Sequence, residues 1–153
     1  MAVETLERAL HGQIAEELEL VRTRSGDGKL RTQDVVEFAR DETTALHSQF
    51  EWDDTKASYH YRLWQARRLI RAAVTVLPST GETIEAYVSL TPNRHDTGGY
   101  TAMVDILSDA ELYQQMLQDA LREMELFEAK YRRLSELAPV FKAAKKVREK
   151  HSR

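Results

Sequence analysis

The side chains best suited to chemistry are five histidines, His11, His47, His60, His95 and His151, and the carboxylates near them. Their densest grouping is His47, Glu51, Asp53, Asp54 and His60. Imidazole and carboxylate together make a donor set for a divalent metal or an acid–base pair. This grouping straddles a loop and a helix start, where acids belong for capping alone, so no metal site is expected. His95 and Asp96 lie in the breaker cluster PNRHDTGG and read as turn residues. No HExxH, P-loop lysine motif, GxGxxG or GxSxG occurs, and no arrangement singles out a nucleophilic serine. Cysteine is absent, which removes thiolate zinc sites, iron–sulfur clusters and cysteine nucleophiles. The expectation is a non-enzymatic protein with no catalytic residue, no cofactor and no small-molecule substrate.

A second chemistry, phosphate and base recognition, is better supplied. It needs cations for phosphates and aromatic or guanidinium planes for bases. At 100° per residue, a helix from about Thr55 to Ala73 places Lys56, His60, Tyr61, Trp64, Arg67, Arg68 and Arg71 on one face. Tyr59, Leu63, Ala66, Leu69, Ile70 and Ala73 fall opposite, with Arg62 on the flank of the apolar side. The competing reading packs Tyr61 and Trp64 under another element and pairs the arginines with nearby acids. A second basic block closes the chain: Lys142, Lys145, Lys146, Arg148, Lys150 and Arg153 against Glu149. That segment carries +5, so with a net charge of −3 the other 141 residues carry −8. Such asymmetry suits a tail that touches phosphates, although cations also belong at a helix C-terminus.

The elements that must position these faces follow from hydrophobic periodicity. Val3, Leu6, Leu10, Ile14, Leu18 and Val21 form one stripe, which predicts a helix over 3–22, stopped by RSGDGK. Thr32 is the expected N-cap of a short helix over 33–40 with Val35, Val36 and Ala39 inward. DETTALHSQF reads as irregular. Trp52 should be largely buried, with Asp53 or Asp54 capping the third helix. Beyond Ala73 the period is two. Val74–Leu77, then Ile84–Leu90 after a Pro-Ser-Thr-Gly turn, then Tyr100–Leu107 with Ala102, Val104 and Ile106 on one side, predict a three-stranded antiparallel meander. Helix, helix, helix and hairpin is also the order of a winged helix-turn-helix, but the connection from Arg40 to Asp53 is too long for that motif.

Ser108 with Glu111 fits a capping box for a long helix. Tyr113, Leu117, Ala120, Met124, Phe127, Tyr131, Leu134, Ala138 and Phe141 then follow spacings of 4 and 3 in alternation, a heptad seam that predicts oligomerisation. The same seam also suits packing on the chain's own first helix. Pro139 should kink this helix or start a new one near Leu137-Ala138.

The segment LHSQFEWDDTKASYHYRLWQARRLI resembles a stretch of small proteins encoded by phages and prophages. In these an LHxxFEWDD block leads into a helix with a YRLxxAR pattern. The matching residues are Leu46, His47, Phe50, Glu51, Trp52, Asp53 and Asp54, then Tyr61, Arg62, Leu63, Ala66 and Arg67. The resemblance extends loosely from Arg31 through the last long helix. It implies a viral or mobile-element origin and no established activity, so no functional residue is carried over.

With 42% apolar and 31% charged residues, the chain has enough apolar content for a core and no apolar run that spans a membrane. Its acidic first twenty residues predict no secretory leader, and the expected compartment is the cytoplasm, the host's if phage-encoded. The fold class expected is α+β: N-terminal helices and meander over 1–107, then a long heptad helix with a basic tail over 108–153. The leading function is an oligomeric, phage-type nucleic-acid-binding protein. The alternative is an assembly protein that works through the heptad helix without nucleic acid.

Overall fold

The computed structural model describes residues 2–54, 56, 58–95 and 98–152, without the side chains of residues 2, 3, 6, 93 and 95. The chain is mostly helical and forms two compact units, Met1–Leu107 and Ser108–Arg153. Thr55, Asp96, Arg153 and the side chains of Val3, Leu6 and His95, each part of a sequence expectation, lie outside the described residues.

In the first unit, α1 (Ala2–Arg24) buries Ile14, Leu18 and Val21 on one stripe. It meets α2 (Thr32–Ala39), whose Val35, Val36 and Ala39 are fully buried. Thr32 is not the cap. It is the first helical residue, Arg31 takes the cap position, and no side chain caps that end. The cause is the preceding residue: Leu30 exchanges backbone hydrogen bonds with Tyr100, at 3.0 and 2.8 Å, which holds the chain extended up to Arg31. Between α1 and α2, Gly28 adopts φ +67°, a region only glycine enters freely. Arg31 and the Ser25 hydroxyl bind the Asp27 carboxylate and hold it well below the usual carboxylate range.

The connection after α2 is more ordered than its composition suggests. Asp41 Oδ1 accepts from the Thr43 amide at 2.9 Å, and Leu46–Gln49 forms a 3-10 turn with Leu46 fully buried. The Glu17 carboxylate of α1 accepts from the Ala45 and Leu46 amides at 2.7 and 2.8 Å, tying that turn to α1. Helix α3 (Tyr59–Ala72) begins later than expected. Neither Asp53 nor Asp54 caps it; Ser58 holds that position, Asp54 pairs with Arg62 and Asp53 with Lys56.

The three-stranded meander is not formed. Strand β1 (Val74–Val76) pairs antiparallel with β2 (Thr83–Glu85) across a turn that uses Gly81 at φ +71°. Strand β3 (Tyr87–Val88) pairs with β4 (Thr101–Ala102) in a separate two-stranded sheet. The switch is Ala86, whose N–H donates to Ala73 O at 3.0 Å while its carbonyl accepts from the Met103 amide at 2.8 Å. The expected loop after Leu90 holds a short helix, α4 (Thr91–His95). After Ala102 the period becomes helical in α5 (Met103–Ser108): Met103 and Ile106 are buried, and Val104, expected inward, is 42% exposed.

The second unit is a helical hairpin. Asp109, not Ser108, caps α6 (Ala110–Tyr131), accepting from the Glu111 and Leu112 amides at 2.9 Å each. The single long helix is not formed. The chain leaves α6 after Tyr131, turns through Ser135–Leu137 and starts α7 (Ala138–His151) with Pro139 in its first turn, where a missing N–H costs nothing. Helix α7 folds back on α6. Phe141 meets Phe127 edge-on with centroids 6.2 Å apart, Arg148 bridges Glu125 and Glu128 at 2.7 and 2.8 Å, and Leu121, Phe141 and Ala144 are buried.

One polar network crosses the first unit. Arg22 binds Glu19, Asp105 and the Gly28 carbonyl, and the Tyr87 hydroxyl donates to Glu19 at 2.9 Å. The Arg22 hydrogen bond, joined by that of Tyr87, depresses the Glu19 pKa. A carboxylate whose folded pKa is depressed stabilises the fold above its unfolded pKa and loses that contribution as pH falls through the folded value. Denaturation midpoints measured across a pH series should therefore fall on the acid side, and Glu19→Gln should flatten that fall while lowering stability at neutral pH. An unchanged acid-side slope in the variant would remove Glu19 from the account.

Candidate nucleic-acid interface

The site is built on α3, and the rotation of that helix is set by a buried cation. Arg62 is 5% exposed. Its Nε donates to the Glu51 carbonyl at 3.1 Å, Nη2 donates to the Trp52 carbonyl at 3.5 Å, and Nη2 pairs with Asp54. The guanidinium also lies 5.3 Å from the centre of the Trp52 ring. Trp52 packs against the core with most of its surface covered, though it is not fully buried. It stacks on His47 with centroids 5.0 Å apart, and its Nε1 donates to the His47 carbonyl at 2.9 Å. Residues 47–54 thereby wrap the start of α3.

The His47–His60 grouping divides among structural tasks. His47 Nδ1 bonds the Ala39 carbonyl at 2.8 Å, Glu51 accepts from the Asp53 amide at 3.1 Å, and Asp54 serves Arg62. Among the described residues no three His, Cys, Asp or Glu side chains are placed to hold a metal ion.

With Ala66 and Ile70 fully buried on one side, the opposite side of α3 is exposed: His60, Tyr61, Trp64, Arg67, Arg68 and Arg71. Tyr61 and Trp64 are 44% and 45% exposed, so they do not pack under another element. Their rings stack at 5.5 Å with 20° between planes, and the Arg68 guanidinium sits 5.1 Å from the Trp64 ring centre. Among the described residues no carboxylate pairs with Arg67, Arg68 or Arg71, whereas Arg22, Arg31, Arg40, Arg62 and Arg148 are all ion-paired. Lys56 precedes the helix and lies 3.8 Å from Asp53.

Two clefts flank this face, and among the described residues no carboxylate lines either. One, of about 430 Å³, is bounded by Gln49, Gln65, Arg68 and Arg71. The other, of about 300 Å³, brings Arg67 together with Arg94 of α4. Arg94 has no place in the sequence expectation because its segment reads as a loop. Pro92, second in TPNRH, is the one local signal of a helix start there.

In the second unit, Lys142, Lys146 and Lys150 repeat every four residues on the face of α7 opposite Phe141 and Ala144; Lys145 is exposed on the flank. Arg148 differs, since both carboxylates it meets engage it in the hairpin. The heptad positions do not form one seam, because Leu134 and Ala138 lie beyond the end of α6. The portion on α6 remains continuous and faces roughly a quarter-turn away from the Leu121 side. There Tyr113, Ala120, Met124 and Phe127 are exposed and Leu117 and Tyr131 half-buried; Leu134 in the turn is also exposed.

No protein-family model matches the chain, and no curated protein or solved structure matches it. Among the described residues no helix is long and apolar enough to cross a membrane.

Replacing Arg62 with Met should keep the bulk of the side chain but orphan the Glu51 and Trp52 carbonyls, at a cost of about 3 kcal/mol from its charged hydrogen bonds. Arg62→Lys should recover only part of that, because an ammonium cannot fork to several acceptors. Urea melts monitored by circular dichroism measure both, and equal stability of Lys and Arg at this position would refute the clamp.

Proposed function

We propose that this is a non-enzymatic nucleic-acid-binding protein of phage type that assembles through α6. The observation that carries the reading is the α3 face, where exposed Trp64 sits among Arg67, Arg68 and Arg71, with no acid paired to them among the described residues. Most of this chain is acidic, and ordered cations left unpaired in it are suited to an external polyanion. The lysine stripe of α7 supplies a second set of phosphate contacts. It works through Lys142, Lys145, Lys146 and Lys150, because Arg148 is committed to the hairpin. The exposed α6 seam is the surface for a second copy of the chain. It also favours the assembly-only reading, in which nucleic acid has no part.

Each lost phosphate contact should lower the slope of log K against log salt by about 0.9 on duplex DNA. Arg67→Ala with Arg71→Ala should weaken unrelated sequences by similar factors in fluorescence anisotropy, because phosphate contacts position without specifying. Changing Lys142, Lys146 and Lys150 to Gln should act independently and spare the hairpin. Wild-type protein that binds neither DNA nor RNA at low salt would leave the assembly reading alone.

Assembly has its own test. Glu at Leu117 and Met124 should place unpaired charge in the seam, at a cost of several kcal/mol, roughly, for the pair. Light scattering should then report a smaller particle with helicity retained. A wild-type chain that is monomeric at high concentration would rule assembly out.

A further inference from the structure

We infer that the α3 face takes single-stranded rather than duplex nucleic acid, with a base stacked on the Tyr61–Trp64 platform and its phosphate in the cleft between Arg67 and Arg94. This rests on the nucleic-acid reading above and names its substrate class.

The centre of the face decides the class. A helix that reads a duplex groove presents side chains that hydrogen-bond to base edges. Here the centre holds two near-parallel rings, Tyr61 and Trp64, each close to half exposed. Trp64 is held between Tyr61 and Arg68, so the π-face left open is the outer one of Tyr61, backed by the indole, and a duplex hides the complementary faces of its bases inside the stack. Exposing them costs a few kcal/mol per step, roughly, whereas a single strand offers them without that cost. The platform is also built before any ligand arrives. Along the helix the order is Tyr61, Trp64, Arg68, with the rings stacked on each other and the guanidinium against the indole, so little side-chain freedom remains to be lost on binding.

Phosphate placement agrees. Arg67 lies one turn from Trp64, about 5–6 Å between Cβ atoms, which is the scale of the step from base to phosphate within a nucleotide. It opens onto the cleft of about 300 Å³ shared with Arg94, Thr32, Gln33 and Ser89. Arg94 is anchored there by donating to the Ser89 carbonyl at 3.0 Å. Gly99 lines the cleft at φ +107°, a backbone conformation that residues with a side chain rarely adopt. On the other side, Arg68 and Arg71 line the second cleft, where the next phosphate along a strand would be met.

The test uses the full chain and fluorescein-labelled oligothymidine and oligouridine of roughly ten nucleotides, a length that one such site covers, beside a duplex of mixed sequence. Trp64→Leu should weaken both single strands about tenfold or more and the duplex far less, while Trp64→Phe should retain most of the single-strand affinity. Tyr61→Leu should behave like Trp64→Leu. Arg94→Ala should match Arg67→Ala, with the double variant little worse than either, since both serve one phosphate. An equal loss on single strands and duplex, or no loss in Trp64→Leu where Arg67→Ala weakens binding, would overturn the stacking inference and leave the nucleic-acid reading intact. Full single-strand affinity in Arg94→Ala would overturn the cleft assignment. Absence of binding by the wild-type chain to all three probes would overturn the underlying reading as well. Circular dichroism confirms that each variant is folded, which is expected because Tyr61, Trp64, Arg67 and Arg94 are exposed.

Discussion

A guanidinium taken out of water must find acceptors, and Arg62 finds them in the backbone of Glu51 and Trp52 and in the carboxylate of Asp54. Because these acceptors lie on the chain that precedes α3, satisfying Arg62 forces residues 50–54 to curl around the helix start. Trp52 then stands between His47 and the guanidinium, and Phe50 enters the core beside it. With Arg62 fixed, the rotation of α3 follows. Ala66 and Ile70 come one and two turns later on the buried side, and Trp64, Arg67, Arg68 and Arg71 have nowhere to go but outward. The exposed face is thus a consequence of one buried charge.

Carboxylates are allocated in a way that sharpens this contrast. Glu19 and Asp105 serve Arg22, which ties α1 to α5 and, through Tyr87, to β3. Burial, with the Glu19 contact, pushes the Tyr87 hydroxyl far above its ordinary pKa, so it remains a donor at any physiological pH. Asp27 serves Arg31, and Glu125 and Glu128 serve Arg148. These pairs join elements or close turns. Arg67, Arg68 and Arg71 of α3 have no such carboxylate among the described residues, and like charges spaced along one helix face repel one another.

What the sequence makes legible is whatever a single helix decides. The α1 stripe, the inward Val35, Val36 and Ala39, and the α3 face follow from a period of 3.6, and the Pro139 joint from a missing N–H. Two-residue strands are a different matter. Whether Ile84–Leu90 pairs with one neighbour or two is decided at Ala86 by hydrogen bonds to Ala73 and Met103, and no local propensity encodes that choice. MVDILS satisfies alternate and helical spacing equally until Asp105 meets Arg22. The heptad pattern runs straight through the end of α6 because Arg132, Arg133 and Leu134 contain no breaker, so periodicity alone cannot see the reversal. Arg62 is invisible for a related reason: a lone arginine on the flank of an apolar face ordinarily extends to water.

The hairpin that replaces the long helix changes how the seam is best understood. Its own core is small, essentially Leu121, Phe141 and Ala144 closed by Arg148, and it leaves Met124 at 38% and Phe127 at 50% exposure. Apolar side chains continuous along three turns of a helix are seldom left to water in a protein that works alone. A two-fold pairing of α6 with α6 would cover them, since a seam that is self-complementary meets itself under that symmetry. The proposed pairing also bears on binding. Contacts made by exposed arginines and lysines are individually weak and strongly screened by salt, and two copies joined through α6 would double the number of each kind of contact. In the proposed assembly, the seam supplies the multiplicity by which individually screened contacts hold a nucleic acid at physiological salt.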